Sequence, residues 1–168
     1  MKTSKKLPAF FVRNFVFGVE DSLVSTLGLV SGIAIAGVEK KIIFLTGIIL
    51  IFVEAFSMSV GGMLSESSTQ EYITKHERSI EKSVPGGFIM FFSYFFSGFI
   101  PLLPYVFYEI KSAFWISIGF SLFALFLLGA VSARMAHIAT LRGGLRMMFI
   151  GGIALIAGVV IAVLIRGI

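Results

Sequence analysis

The sequence holds no cysteine, two histidines, four prolines and one tryptophan among 168 residues, and only 14 % of it is charged. Without cysteine there is no disulfide, no thiolate metal site and no cysteine nucleophile. His76 and His137 form no HExxH pattern, and no GxSxG occurs, so the residue sets of the common hydrolytic centres are missing and an enzyme is not expected. A soluble domain carries roughly a quarter charged residues. The shortfall here accompanies 57 % hydrophobic residues and nineteen phenylalanines. A soluble globular domain and a disordered tail are both excluded by that balance. The net charge of +5 does not indicate nucleic acid, because the basic residues stand in short clusters between apolar runs, as membrane topology demands.

Five apolar stretches, about 9–37, 42–64, 86–108, 113–133 and 147–165, reach the roughly 20 residues that a spanning helix needs. The links at 38–41, 109–112 and 134–146 are short, and only 65–85 has room for structure outside the bilayer. Lys2, Lys5 and Lys6 precede a stretch too long for the apolar core of a signal peptide, and Glu20 and Asp21 interrupt it, so it reads as a first membrane helix. Extended period-two alternation is missing, which argues against a membrane barrel. The expected fold is an all-α integral membrane protein: one membrane domain over 1–168 with five transmembrane helices.

Basic residues orient the bundle. The N-terminus and the second and fourth links share one side, which holds Lys2, Lys5, Lys6, Arg13, Lys75, Arg78, Lys82, Arg134, Arg142 and Arg146. Lys40, Lys41, Lys111 and Arg166 lie on the other. Ten against four predicts a cytoplasmic N-terminus and a C-terminus outside or in a lumen.

Ionisable groups inside a span cost ~2.5–3.5 kcal/mol each on insertion scales and are functional candidates by default. Glu20 and Asp21 stand in the first helix and Glu54 in the second, where no basic residue of that helix reaches it. At 1.5 Å per residue, Asp21 lies roughly 12 Å from Arg13, and Met58 lies roughly 12 Å from Glu66 on the returning helix. Asp21 and Met58 can therefore share a level, with Glu54 one turn deeper on the Met58 face. Carboxylates alone suit Mg²⁺ or Ca²⁺, whereas a thioether biases a site towards softer divalent ions. Metal ligands must be deprotonated, so metal entry there releases protons. Gly28 and Gly32 form a GxxxG that lets two helices approach closely, and Pro101 and Pro104 should bend the outer end of the third span.

The stretch Gly18-Val-Glu-Asp-Ser-Leu-Val-Ser-Thr-Leu-Gly-Leu-Val-Ser-Gly32 resembles the first-helix signature of the vacuolar iron transporter family. Ser57-Met-Ser-Val-Gly-Gly-Met-Leu-Ser-Glu-Ser67 resembles its second-helix motif, Gly98-Phe-Ile-Pro-Leu-Leu-Pro-Tyr105 its third-helix proline motif, and Gly143-Gly144 through Gly151-Gly152 the start of its last helix. The resemblance implies a homodimer of five-helix subunits that exports Fe²⁺ or Mn²⁺ from the cytosol in exchange for protons. Asp21 and Met58 fall on the family's pore-ligand positions. Glu54 would assist or relay protons, and Glu20 and Glu66 would attract the ion at the mouth. The expected partners are a divalent transition metal ion, protons, the lipid bilayer and a second copy; no cofactor beyond the transported metal is expected. The chain would be multi-pass, in the cell membrane of a prokaryote or a vacuolar-type membrane of a eukaryote.

Departures from the family pattern are specific. Glu20 replaces the asparagine before the acid, Ser22 replaces a glycine, and Gly62 replaces the glutamate of a Gly-Glu-Tyr run, while an acid stands at Glu66. The long Glu-rich cytosolic helices of some members are reduced to 65–85, where Glu71, His76, Glu77 and Glu81 form a candidate metal-collecting set, alongside the plainer reading of an exposed juxtamembrane helix. An alternative is a metal-binding or scaffold membrane protein of the same fold without transport.

Overall fold

The computed structural model describes residues 6–77 and 79–166; of the basic residues used for orientation, Lys2, Lys5 and Arg78 lie outside them. Every long element is a helix: α1 (Lys6–Ile35), α2 (Lys40–Thr74), α3 (Val84–Leu102), the short α4 (Pro104–Phe107), α5 (Ile110–Met135) and α6 (Thr140–Arg166). Among the described residues there is no strand. Five helical stretches are long and apolar enough to cross a membrane: Ala9–Ile35, Lys40–Thr74, Val84–Phe107, Ile110–Met135 and Thr140–Leu164.

The main departure from expectation is α2. Hydrophobicity stops near residue 64, but the helix runs on to Thr74. Nothing in Ser65–Thr74 breaks a helix, and Thr69 and Thr74 return hydroxyl bonds to the carbonyls of Ser65 and Gln70. The helix ends where Lys75 turns into the left-handed region at φ 56°. The link that remains is short and holds one 3₁₀ turn, Ile80–Lys82.

α1 lies at the centre, against α2, α3, α5 and α6. Gly37, at φ 81°, closes it by letting the Val38 N–H reach the Ile33 carbonyl, a C-cap that turns the chain into α2. The GxxxG of α1 is spent within the subunit: Gly28 and Gly32 face Gly158 and Ala162 of α6. An apolar core of Val30, Ile43, Ile51, Leu102, Tyr105 and Ala113 fills the end away from the N-terminus. Phe88, Phe92 and Phe96 stack along the outer face of α3, more than 45 % exposed, as side chains that meet lipid should be.

The interruption of the third span follows from Pro104. Pro104 offers no N–H to the Ile100 carbonyl, and the helix breaks at Leu103 before resuming as α4. The Pro101 carbonyl accepts instead from the buried Ser117 hydroxyl of α5 at 2.6 Å. Ser117→Ala strands that carbonyl in an apolar setting. A loss of about 1 kcal/mol is expected, read as an earlier thermal transition of the detergent-solubilised protein.

Candidate functional site

The site begins with the close packing of α1 on α3. Asn14, Gly18 and Ser22 recur every four residues and so share one face of α1. They meet Gly86, the Met90–Ser93 turn and Gly98 of α3. A Cβ on Gly18 would lie 2.9 Å from the Met90 carbonyl, and one on Gly98 would lie 2.9 Å from Ser22 Oγ. At that separation the Ser22 hydroxyl donates to the Tyr94 carbonyl at 2.6 Å. Ser25 Oγ and the Tyr94 hydroxyl share a hydrogen bond of 2.7 Å.

This packing brings three helices to one level inside the membrane-spanning region. Asp21 of α1 and Glu54 of α2 are electrostatic neighbours, and both act on the Tyr94 hydroxyl of α3. Asp21 is thus the acid within reach of α2, whereas the charged neighbour of Glu20 is Asp21 itself. Among the described residues, no basic side chain pairs with Glu20, Asp21 or Glu54. Neighbouring acids without a basic partner attract a cation.

Towards the N-terminal end of the bundle, a cavity of about 570 Å³ opens between α1, α2 and α3. Met58 and Glu66 line it, together with Asn14, Gly62 and Met90. Met58 lies one turn from Glu54 along α2, so the cavity ends close to the carboxylate pair. At its rim Arg13 donates to Glu66 at 2.8 Å, and Gln70 donates to the other Glu66 oxygen at 3.1 Å. Asp21 has Glu54 as its electrostatic neighbour on α2, and Met58, one turn along, lines the cavity. Glu66 stands at the mouth already paired.

Five membrane-spanning helices, half-buried acids within them that pair with no basic side chain among the described residues, and a cavity lined by Met58, one turn from Glu54, frame the comparison with known proteins. A sequence model of the VIT family matches residues 12–85 and 73–163. The chain belongs to the VIT family. A comparison with curated proteins finds no significant match. VIT proteins are membrane transporters of metal ions rather than enzymes, and the two matched stretches meet at the link, as fits a short form of the family.

Within this VIT chain the acids and the histidine of the link are spread over several elements. Among the described residues, no three His, Cys, Asp or Glu side chains lie together as a metal cluster. Glu71 sits on the tail of α2, His76 and Glu77 follow the left-handed turn at Lys75, and Glu81 belongs to the 3₁₀ turn. The i, i+4 spacing of Glu77 and Glu81 would share a face only on a helix, and α2 has ended before them. His137, with φ 57°, closes α5 instead of facing the cavity.

Sequence reasoning missed Asn14, Met90, Tyr94 and the Arg13–Glu66 pair. Asn14 was visible as a polar residue in an apolar run, in register with Gly18 and Ser22. Met90 and Tyr94 carried no such signal, because a methionine or tyrosine in an apolar span reads as packing.

Proposed function

We propose that this chain is a secondary transporter that exports Fe²⁺ or Mn²⁺ from the cytosol in exchange for protons, as a homodimer with the basic, N-terminal end of the bundle in the cytoplasm. The observation that carries the reading is the Asp21–Glu54 pair: two carboxylates within the spans, without a basic partner, one helical turn beyond an open cavity. An arriving cation competes with Arg13 for Glu66, drawn also by the charge of Glu20, and passes the Met58 thioether. On binding Asp21 and Glu54 it releases protons, because metal ligands must be deprotonated. Protons entering from the far side reverse the exchange and release the metal. The thioether favours Fe²⁺ over the harder Mg²⁺ and Ca²⁺.

A second copy is supported by the open side of the cavity. Ser57, Gly61 and Ser65 are exposed on α2 within or beside the span, a strip of small and polar residues suited to another helix rather than to lipid tails. The chain has no native cysteine, so Ser57→Cys supplies one thiol per subunit. Oxidation in membranes should yield a covalent dimer, while the exposed Phe56→Cys, one position round the helix, should yield much less. Equal cross-linking at both would remove this interface.

The transport test is Fe²⁺ uptake into sealed proteoliposomes with and without an imposed proton gradient, with Ca²⁺ and Mg²⁺ controls. Uptake that follows the gradient and excludes Ca²⁺ supports the exchanger. Metal binding without uptake, from folded protein, leaves a metal-binding membrane protein of the same fold.

A further inference from the structure

The cavity below the carboxylate pair has a wall chemistry of its own. Gly62 stands one turn from Met58 on the same face of α2. A Cβ at Gly62 would lie 2.9 Å from Met90 Sδ and 3.1 Å from its methyl carbon, so the Met90 thioether of α3 occupies the space that a side chain at 62 would take. Met58 and Met90 line one cavity, and flexible methionine side chains can close around an ion within it.

The third wall supplies an oxygen. Asn14 of α1 is 3 % exposed and lines the same cavity, where its amide oxygen can serve a cation. Its position is set by Gly86, one turn from Met90 along α3: a Cβ there would lie 2.6 Å from Asn14 Nδ2. Glycines at 62 and 86 thus make room for a thioether and an amide that line one cavity, where larger residues would crowd them.

We infer that Met58, Met90 and Asn14 form a second metal site, a thioether-rich waypoint selective for soft and borderline transition-metal cations, in the cavity before the Asp21–Glu54 pair. It deepens the transport reading and rests on it for the direction of travel, but not for binding. With two sulfurs and a neutral amide, the site discriminates against Mg²⁺ and Ca²⁺, which require oxygen donors. Selection then occurs before the ion meets the carboxylates, which would accept either class.

The test is Fe²⁺ K-edge X-ray absorption on the anaerobic, detergent-solubilised full chain, with Fe²⁺ affinity by titration and flux in proteoliposomes. Asp21→Asn serves as background, because it removes the deeper site and leaves this one. Sulfur scatterers are expected in that background. Met90→Leu, which conserves volume and apolarity, should remove about one sulfur and weaken Fe²⁺ binding by about tenfold. Gly62→Ala should reproduce the loss with Met90 intact, because its Cβ displaces the thioether. An oxygen- and nitrogen-only shell, or an unchanged shell in both variants, overturns the site. Sulfur ligation without flux in the unmutated chain would overturn the transport reading and leave the site standing, whereas gradient-driven flux with an oxygen-only shell would do the reverse.

Discussion

Asp21→Ala is expected to reduce proton-driven Fe²⁺ uptake to the level of protein-free liposomes, while the protein still folds and elutes as the same oligomer. The two halves of that result have separate physical grounds. Asp21 provides the α1 carboxylate of the pair, and Glu54 alone offers a passing divalent ion one charge instead of two. Coupling fails as well, because the proton released on metal entry has lost one of its holders. Stability should be spared, since Asp21 pairs with no basic side chain among the described residues and its charged neighbours are the acids Glu20 and Glu54. Removing it relieves like-charge repulsion instead of breaking an ion pair. Glu54→Gln should impair uptake in the same direction. Glu66→Gln should cost less than either, because the Glu66 charge is already matched by an Arg13 that is 63 % exposed, a pair worth about 1 kcal/mol or less. Gradient-driven uptake by Asp21→Ala would remove Asp21 from the path.

Gly129→Leu is expected to be the most damaging single substitution to the fold, with the well-dispersed membrane protein lost on detergent extraction. Gly129 of α5 and Gly143 of α6 face each other where these helices meet near the N-terminal end of the bundle. A Cβ at 129 would stand 2.5 Å from the Gly143 carbonyl oxygen and 2.8 Å from Met147 Cβ, and one at 143 would stand 2.8 Å from the Gly129 carbonyl. The obstacles are backbone atoms, which no rotamer change can move. Overpacking commonly costs about 1–3 kcal/mol, and a leucine opposed by backbone belongs above that range. Gly61→Leu is the control: a Cβ there meets nothing within 4 Å in the subunit. It should leave the subunit folded while testing the face assigned to the second copy. Size-exclusion profiles of the fluorescently tagged variants separate the outcomes, and a monodisperse Gly129→Leu protein would show that α5 and α6 do not pack this tightly.

The five spans, their order and the break before Pro104 were legible from the chain alone. Lipid imposes a length of about 20 apolar residues on any helix that crosses it, and proline lacks an N–H whatever surrounds it. The isolated acids were legible for the same reason: an ionisable residue in such a run stands out against its neighbours. The end of α2 was not, because the end of hydrophobicity marks where lipid stops, not where hydrogen bonding along the helix stops. Likewise the GxxxG at Gly28 announced a close approach but not its partner, which proved to be α6 of the same subunit.

What sequence alone determined is what depends on one helix at a time: membrane residence, the number of spans, and which residues are chemically out of place in them. Tertiary structure decided what depends on the relative rotation and depth of several helices. It chose Asp21 over Glu20 as the acid facing Glu54, gave Arg13 to Glu66, and brought Asn14 and Met90 to the cavity that holds Met58. The physical reason is that a helix fixes the angle between its own residues at about 100° each, but where that face points is set by steric fit against its neighbours. Here the fit comes from Gly18, Gly62, Gly86 and Gly98, the places where two backbones, or a backbone and a side chain, can come close enough to meet.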